Sequence, residues 1–267
     1  MESDRWREEL DINGYTELGP MIKKETVQFL RETLLFEQQK HIATHGEDKL
    51  RKYGEVEMLR SCHRFNDQFR RIVTADWTTA LINCALNDRA ILHGYHGIIS
   101  NSQSSGDNAQ PFRFHRDSPW FRDTRVCLLI LMPLVDFVEE VGPTEIVPGS
   151  HLFEHLPSQA FMEKHGRKML MPAGHVFAMD GTLAHRGTPN VSGQPRPLLQ
   201  MNITVAFFKQ QIDVWQQDEF DWDWESDEFR DRIGQRVRAY ADPDEMLTDD
   251  RKWKSGNYDV SNCRILR

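Results

Sequence analysis

The sequence predicts a mainly β protein, a barrel or sandwich carrying helices on one flank, and three observations predict it. Short strand-like runs at 90–100, 125–134, 144–147, 168–171, 176–179 and 198–208 are closed by turn signals such as Val141-Gly142-Pro143, Pro148-Gly149-Ser150, Pro172-Ala173-Gly174 and Ser192-Gly193-Gln194-Pro195. Helical periodicity is concentrated before residue 90 instead of alternating with the strands, which argues against βαβ units. A chain of 267 residues, 39% hydrophobic and 28% charged, is long enough to close one β domain around a sizeable core.

The elements follow in order. Over 21–45, Val27, Leu30 and Leu34 recur at helical spacing among Lys, Glu and Gln, predicting a helix. Residues 46–60 are charged and read as a linker or mobile segment. A second helix is expected over 66–86, with Phe69, Ile72, Val73, Trp77, Ala80, Leu81 and Cys84 on one face. After Asn87-Asp88 the period becomes β-like, and 101–108 reads as a polar loop. In the tail, 220–225 alternates aromatic and acidic residues and 227–240 has helical character. The expected organisation is one domain over 1–267: a largely helical flank (1–90), a β core bearing the site (91–212) and an appendage (213–267). Phe220, Trp222 and Trp224 suggest tertiary packing or an oligomer contact, so a homodimer is among the partners considered.

Composition narrows the function. A net charge of −8 disfavours a general nucleic-acid binder. The apolar run 126–135 is too short to span a bilayer and contains Pro133, so no membrane association is expected. Residues 1–10 lack the apolar core of a secretory signal, and the four cysteines, Cys62, Cys84, Cys127 and Cys263, form no CxxC pair. A cytoplasmic protein with reduced thiols is expected, and the sequons at Asn190 and Asn202 then carry no meaning. The partner such a protein calls for is a small molecule.

The chemistry centres on His115-Arg116-Asp117, His185 and Arg196. On an extended segment His115 and Asp117, at i and i+2, share one side, and a third ligand from another strand would complete a set. Two imidazoles and one carboxylate hold a ferrous ion with three positions open for substrates and O2. Arg196, eleven residues past His185, is placed to grip the carboxylate of an organic co-substrate. His-Arg-Asp also opens a protein-kinase catalytic loop. That loop needs an asparagine where this chain has Arg122, and the glycine-rich loop and DFG are missing, so the kinase reading fails.

Around these residues lie GPTEIVPGSH (142–151), DGTLAHRG (180–187) and NGYTELGP (13–20). With His115-x-Asp117 and Arg196 they resemble, in order and spacing, the phytanoyl-CoA dioxygenase family of iron- and 2-oxoglutarate-dependent oxygenases. The resemblance implies a double-stranded β-helix (a jelly-roll, cupin-like barrel), with Fe(II) held by His115, Asp117 and His185 and 2-oxoglutarate held by Arg196, assisted by Asn101 and Gln103. It implies a non-haem dioxygenase that uses O2 and releases succinate and CO2 while oxidising, most directly hydroxylating, a C–H bond of a metabolite. Desaturation, epoxidation or ring formation in natural-product (secondary) metabolism is the alternative, and a metal-binding barrel that does not use 2-oxoglutarate is the second. Related halogenases carry a small residue where Asp117 stands, so chlorination is disfavoured. Arg113, Trp120, Phe121 and Arg186 are candidates to line the substrate pocket, with Arg113, Arg116 and Arg186 able to accept an anionic group. His93 and His96 are read as sheet residues near the pocket, and His151 and His175 as structural or surface residues.

Overall fold

The structure is a computed structural model and describes residues 2–86, 90–101, 112–212 and 226–237. Its centre is an antiparallel sheet whose main strands are largely buried. These are β1 (Tyr15–Pro20), β2 (Met58–Leu59), β3 (Ile91–Ser100), β4 (Cys127–Pro133), β7 (His175–Asp180) and β9 (Arg196–Thr204), in the order β1-β7-β4-β9-β3-β2. A smaller sheet, β6-β5-β8, comes from β5 (Glu145–Ile146), β6 (Arg167–Lys168) and β8 (His185–Arg186). Together they form the two sheets of the expected jelly roll.

Strand β4 explains the layering. Every residue of it is buried, and strand alternation sends Leu128, Ile130 and Met132 to one side and Cys127, Leu129 and Leu131 to the other. The first set joins the cluster beneath the helices. The second joins Ile146, Phe177, Met179 and Leu183 in the cluster between the sheets. A near-continuous apolar run is what a strand covered on both faces requires.

The helices are α1 (Glu2–Asn13), α2 (Lys24–His45), α3 (Glu47–Tyr53), α4 (Asp67–Val73), α5 (Asp76–Ala85), α6 (Gln159–His165) and α7 (Asp227–Arg232). They lie mainly on the outer face of the large sheet, while α6 packs Met162 against Phe114, Val147 and Ala184 beside the small sheet. In α2 the buried stripe is Val27, Leu30, Leu34 and Gln38, as its periodicity predicts. It approaches β3 closely at Gly97, where a Cβ would lie 2.7 Å from a Leu34 methyl, so any side chain there would push the helix off the sheet.

Several elements depart from the sequence reading. The segment 46–60 is structured: α3 buries Leu50 and carries an exposed Arg51–Glu47 ion pair along its own surface, and β2 adds an edge strand to β3. The single helix expected over 66–86 is two. It breaks at Thr74-Ala75, where Ala75 turns extended and the Thr78 hydroxyl donates to the Ile72 carbonyl at 2.6 Å, replacing a helical bond. The highly charged α1 was not expected; Trp6 and Leu10, at i and i+4, dock it into the core. Helical structure in the tail ends α7 at Arg232, with a short 3-10 turn at Gln235–Val237. The acidic-aromatic stretch 220–225 lies outside the described residues. No helix among the described residues is long and apolar enough to cross a membrane.

His63 gives the fold a pH signature. It is 1% exposed, and burial, reinforced by Arg64 and Arg70, lowers its pKa to about 3. Between that value and about 6.5 the unfolded chain binds a proton that the folded chain refuses. This contribution is therefore intact above about pH 6.5 and is lost as pH falls towards 3, with a slope approaching about 1.4 kcal/mol per pH unit. The urea midpoint should drop more steeply from pH 7 to pH 5 for the wild type than for His63→Asn; equal slopes would contradict it.

Candidate metal centre

The site is assembled by main-chain pairing between its own ligand residues. His115 N–H donates to the His185 carbonyl at 2.9 Å, and His185 N–H donates back at 3.1 Å, an isolated antiparallel bridge. Directly paired residues present their side chains on one face, which brings the two rings to a 4.4 Å centroid separation. Asp117, two residues on, follows to the same side. Its N–H and that of Ser118 both donate to the Gly181 carbonyl, at 2.9 and 3.0 Å. The sequence reading expected an extended strand at 115–117; a single bridge continuing β8 does that work.

The DGT turn before His185 is fixed by Asp180. One carboxylate oxygen accepts from the Thr182 N–H (2.8 Å) and hydroxyl (2.6 Å), and the other accepts from Arg125 Nε at 3.0 Å. Arg125 also reaches Asp11, so α1 braces the turn that carries the third ligand. On the other side Arg116 donates to the carbonyls of Ser150, Phe153 and Glu154 at 2.6–2.9 Å. Trp120 Nε1 donates to the His151 carbonyl at 2.9 Å. The His-x-Asp segment is thereby clasped to the PGSH loop.

The ring orientations suit a cation. His115 Nδ1 lies 2.8 Å from the Arg113 carbonyl and His185 Nδ1 lies 2.9 Å from the Leu183 carbonyl. A carbonyl only accepts, so each Nδ1 carries a proton, and each Nε2 is the atom left to present a lone pair to a metal once it is deprotonated. Those Nε2 atoms face Asp117 Oδ1 at 3.4 Å (His115) and 3.7 Å (His185), and the three donor atoms lie within 4.8 Å of one another. Adjacent ligands of a cation bonded at roughly 2.1 Å sit about 3 Å apart, so a small closure completes the set. Among the described residues this is the group of His, Cys, Asp and Glu arranged to hold a metal.

Charge follows the same geometry. Burial would raise the Asp117 pKa, but the hydrogen bond from His115 and the charges of both imidazoles hold it below the usual carboxylate value. The hydrogen bond to Asp117 raises His115 despite its burial. Burial lowers His185, which is 7% exposed. His185 forms the closed wall, and Asp117, with a side chain 24% exposed, stands at the opening.

Arg196 opens β9 and pairs in register with Ser100 on β3. It is 6% exposed, its guanidinium lies 5.3 Å from the Phe137 ring centroid, and its Nε is buried without a partner. Burial, opposed by Glu57, lowers its pKa to about 10, which leaves it a cation at neutral pH. A buried guanidinium with an open donor is prepared for an anion. Asn101 follows Ser100, and its backbone N–H donates to Glu57 Oε1 at 2.9 Å. Gln103 lies outside the described residues.

The other expected pocket residues have defined partners. Arg186 pairs with Glu145 at 2.7 Å and lies over the Phe114 ring. Phe121 is 44% exposed and meets Phe208 edge-on. Arg113 contributes its carbonyl to His115. Sequence reading missed Gln200, whose Nε2 donates to Asp117 Oδ2 at 3.4 Å and to Asn202 Oδ1 at 2.9 Å. The signal was present in β9: polar Gln200 and Asn202 share the parity of Arg196 in an otherwise apolar strand.

Among known proteins, the chain is 26% identical over 213 residues to uncharacterized proteins of Mycobacterium bovis and Mycobacterium tuberculosis, covering 79% of this chain and 78% of each relative. Its fold is similar to that of SnoN, a non-heme alpha-ketoglutarate-dependent epimerase from nogalamycin biosynthesis, with a TM-score of 0.57, 19% identity, and coverage of 77% of this chain and 83% of that one. It is also similar to EctD from S. alaskensis, solved with 2-oxoglutarate and 5-hydroxyectoine, with a TM-score of 0.61, 18% identity and coverage of 76% of both chains. The family model for phytanoyl-CoA dioxygenase (PhyH) matches residues 10–198, which span His115, Asp117, His185 and Arg196. The chain belongs to the phytanoyl-CoA dioxygenase (PhyH) family.

Proposed function

We propose that this protein is an Fe(II)- and 2-oxoglutarate-dependent oxygenase that oxidises, most directly hydroxylates, a C–H bond of a small-molecule metabolite. The observation that carries the reading is the convergence of His115 Nε2, His185 Nε2 and Asp117 Oδ1, with both Nδ1 protons tied to backbone carbonyls. Two neutral imidazoles and one carboxylate fit a ferrous ion and leave positions free. Bound iron and 2-oxoglutarate supply oxidation of a C–H bond by O2, with succinate and CO2 as co-products.

The chain's own contribution is placement. His115, Asp117 and His185 hold the ion on one face, and Arg196 takes the distal carboxylate of 2-oxoglutarate through its forked N–H donors. The buried setting of His185 and Arg196 strengthens both interactions by excluding water. A single catalytic domain in a reducing, cytoplasmic setting is part of the proposal, supported by free thiols at Cys62, Cys84 and Cys127. The solved similar structures SnoN (with Fe3+, alpha-ketoglutarate and nogalamycin RO) and EctD are bound to small organic molecules, which supports a metabolite substrate here.

Anaerobic titration tests the assignment. Adding 2-oxoglutarate to the Fe(II)-loaded protein should produce a weak visible charge-transfer band that Fe(II) alone does not give. Fe(II) binding without that band would remove 2-oxoglutarate from the mechanism.

A further inference from the structure

Asp117 gives its two carboxylate oxygens different partners. Oδ1 faces both imidazoles, at 3.4 Å from His115 Nε2 and 3.7 Å from His185 Nε2. Oδ2 accepts from the side-chain amide of Gln200 at 3.4 Å. The same amide nitrogen donates to Asn202 Oδ1 at 2.9 Å, so its two N–H groups are divided between two acceptors. A carboxylate only accepts, which fixes the Gln200 amide with its nitrogen towards Asp117, and Asn202 holds it in that orientation. Strand β9 is patterned to place this amide. Leu199, Met201 and Ile203 join the cluster beneath the helices, so Gln200 and Asn202 project from the other face, on the side of Leu198. Both are half-buried, and their register partners on β4 are Leu131 and Leu129. Setting two carboxamides among leucines is costly unless they are hydrogen-bonded, and their bonds lead to each other and to Asp117.

We propose that Gln200 is a positioning residue for the metal centre: by occupying Asp117 Oδ2 it leaves Oδ1 alone to bind the ion, and so keeps a coordination position free for O2. The inference rests on the oxygenase reading and assigns that site a further residue. Two imidazoles and one carboxylate oxygen leave three positions on an octahedral ion; a chelating keto acid takes two of them, and O2 needs the last. A carboxylate that bound through both oxygens would fill that last position. Turning Asp117 to bring Oδ2 onto the ion would break its bond from Gln200. Hydrogen-bonding partners behind a ligand orient it in this way at metal sites generally. Nothing else is needed from Gln200, which neither binds the ion nor moves a proton.

The test counts coordinated waters. Mn(II), which does not turn over, stands in for iron, and water-proton relaxation reports the waters that exchange on it. The wild type should hold about three and Gln200→Leu about two, a fall in relaxivity of roughly a third. With saturating 2-oxoglutarate the wild type should keep a residual enhancement, and the variant should lose it. Gln200→Met, unbranched like glutamine but without the amide, is measured alongside and should match leucine. Thermal melts of the metal-free proteins show which variant is folded, and a merely structural glutamine would leave the water count of a folded variant unchanged. Relaxivity equal to wild type in a folded variant, with and without 2-oxoglutarate, would rule out this role for Gln200. Absence of the Fe(II) charge-transfer band in the wild type would instead overturn the oxygenase reading, since the water count is taken without iron.

Discussion

His185→Ala is expected to abolish the Fe(II)–2-oxoglutarate charge-transfer band and to cut succinate release by at least about a thousandfold, the scale seen when a group at the centre of the chemistry is removed. The loss should be local. His185 is joined to His115 through main-chain atoms, which alanine retains, and the turn before it is held by Asp180, Thr182 and Arg125. The variant should therefore fold, keep its far-ultraviolet circular dichroism, and regain some Fe(II) binding when millimolar imidazole fills the vacated space. A variant that retains both the band and the turnover would show that this ring is not a ligand.

Arg196→Leu should raise the KM for 2-oxoglutarate by about a hundredfold, since two charge-assisted hydrogen bonds in a buried site amount to roughly 3 kcal/mol. The charge is held away from water against Phe137, so added salt screens it little. Arg196→Lys keeps the charge but not the planar fork, and should fall between leucine and wild type. Because the contact grips the end of the co-substrate remote from the chemistry, kcat at saturating 2-oxoglutarate should change far less than KM. An unchanged KM in the leucine variant would exclude Arg196 from co-substrate binding.

The ligand triad and the arginine were legible because their chemistry lies in residue type and order. His-x-Asp followed by a remote His and an Arg is informative whichever strands carry it. Residues whose role depends on register were not. Gln200 faces the site because β9 pairs with β3 and β4 in this register; a slip of β9 by one residue would send it to the opposite face. Arg116 and Arg186 read as free charges near the ligands, yet each has committed its guanidinium, one to three loop carbonyls and one to Glu145. Side-chain-to-backbone bonds of that kind leave no periodic trace. The helices failed for another reason. α1 is mostly polar and buries only Trp6 and Leu10, and the break between α4 and α5 is made by a threonine hydroxyl donating to a carbonyl, an option local propensity does not announce.

The reciprocal bonds between His115 and His185 also set an order of events during maturation. A nascent chain that has emerged only as far as its first imidazole and carboxylate offers two ligands and nothing to close around them. The receptacle exists only after the later strand has docked, and by then the rings have been turned by carbonyls of their own segments. The receptacle is thus a product of the finished fold, and a divalent ion has only to draw three preset donors together.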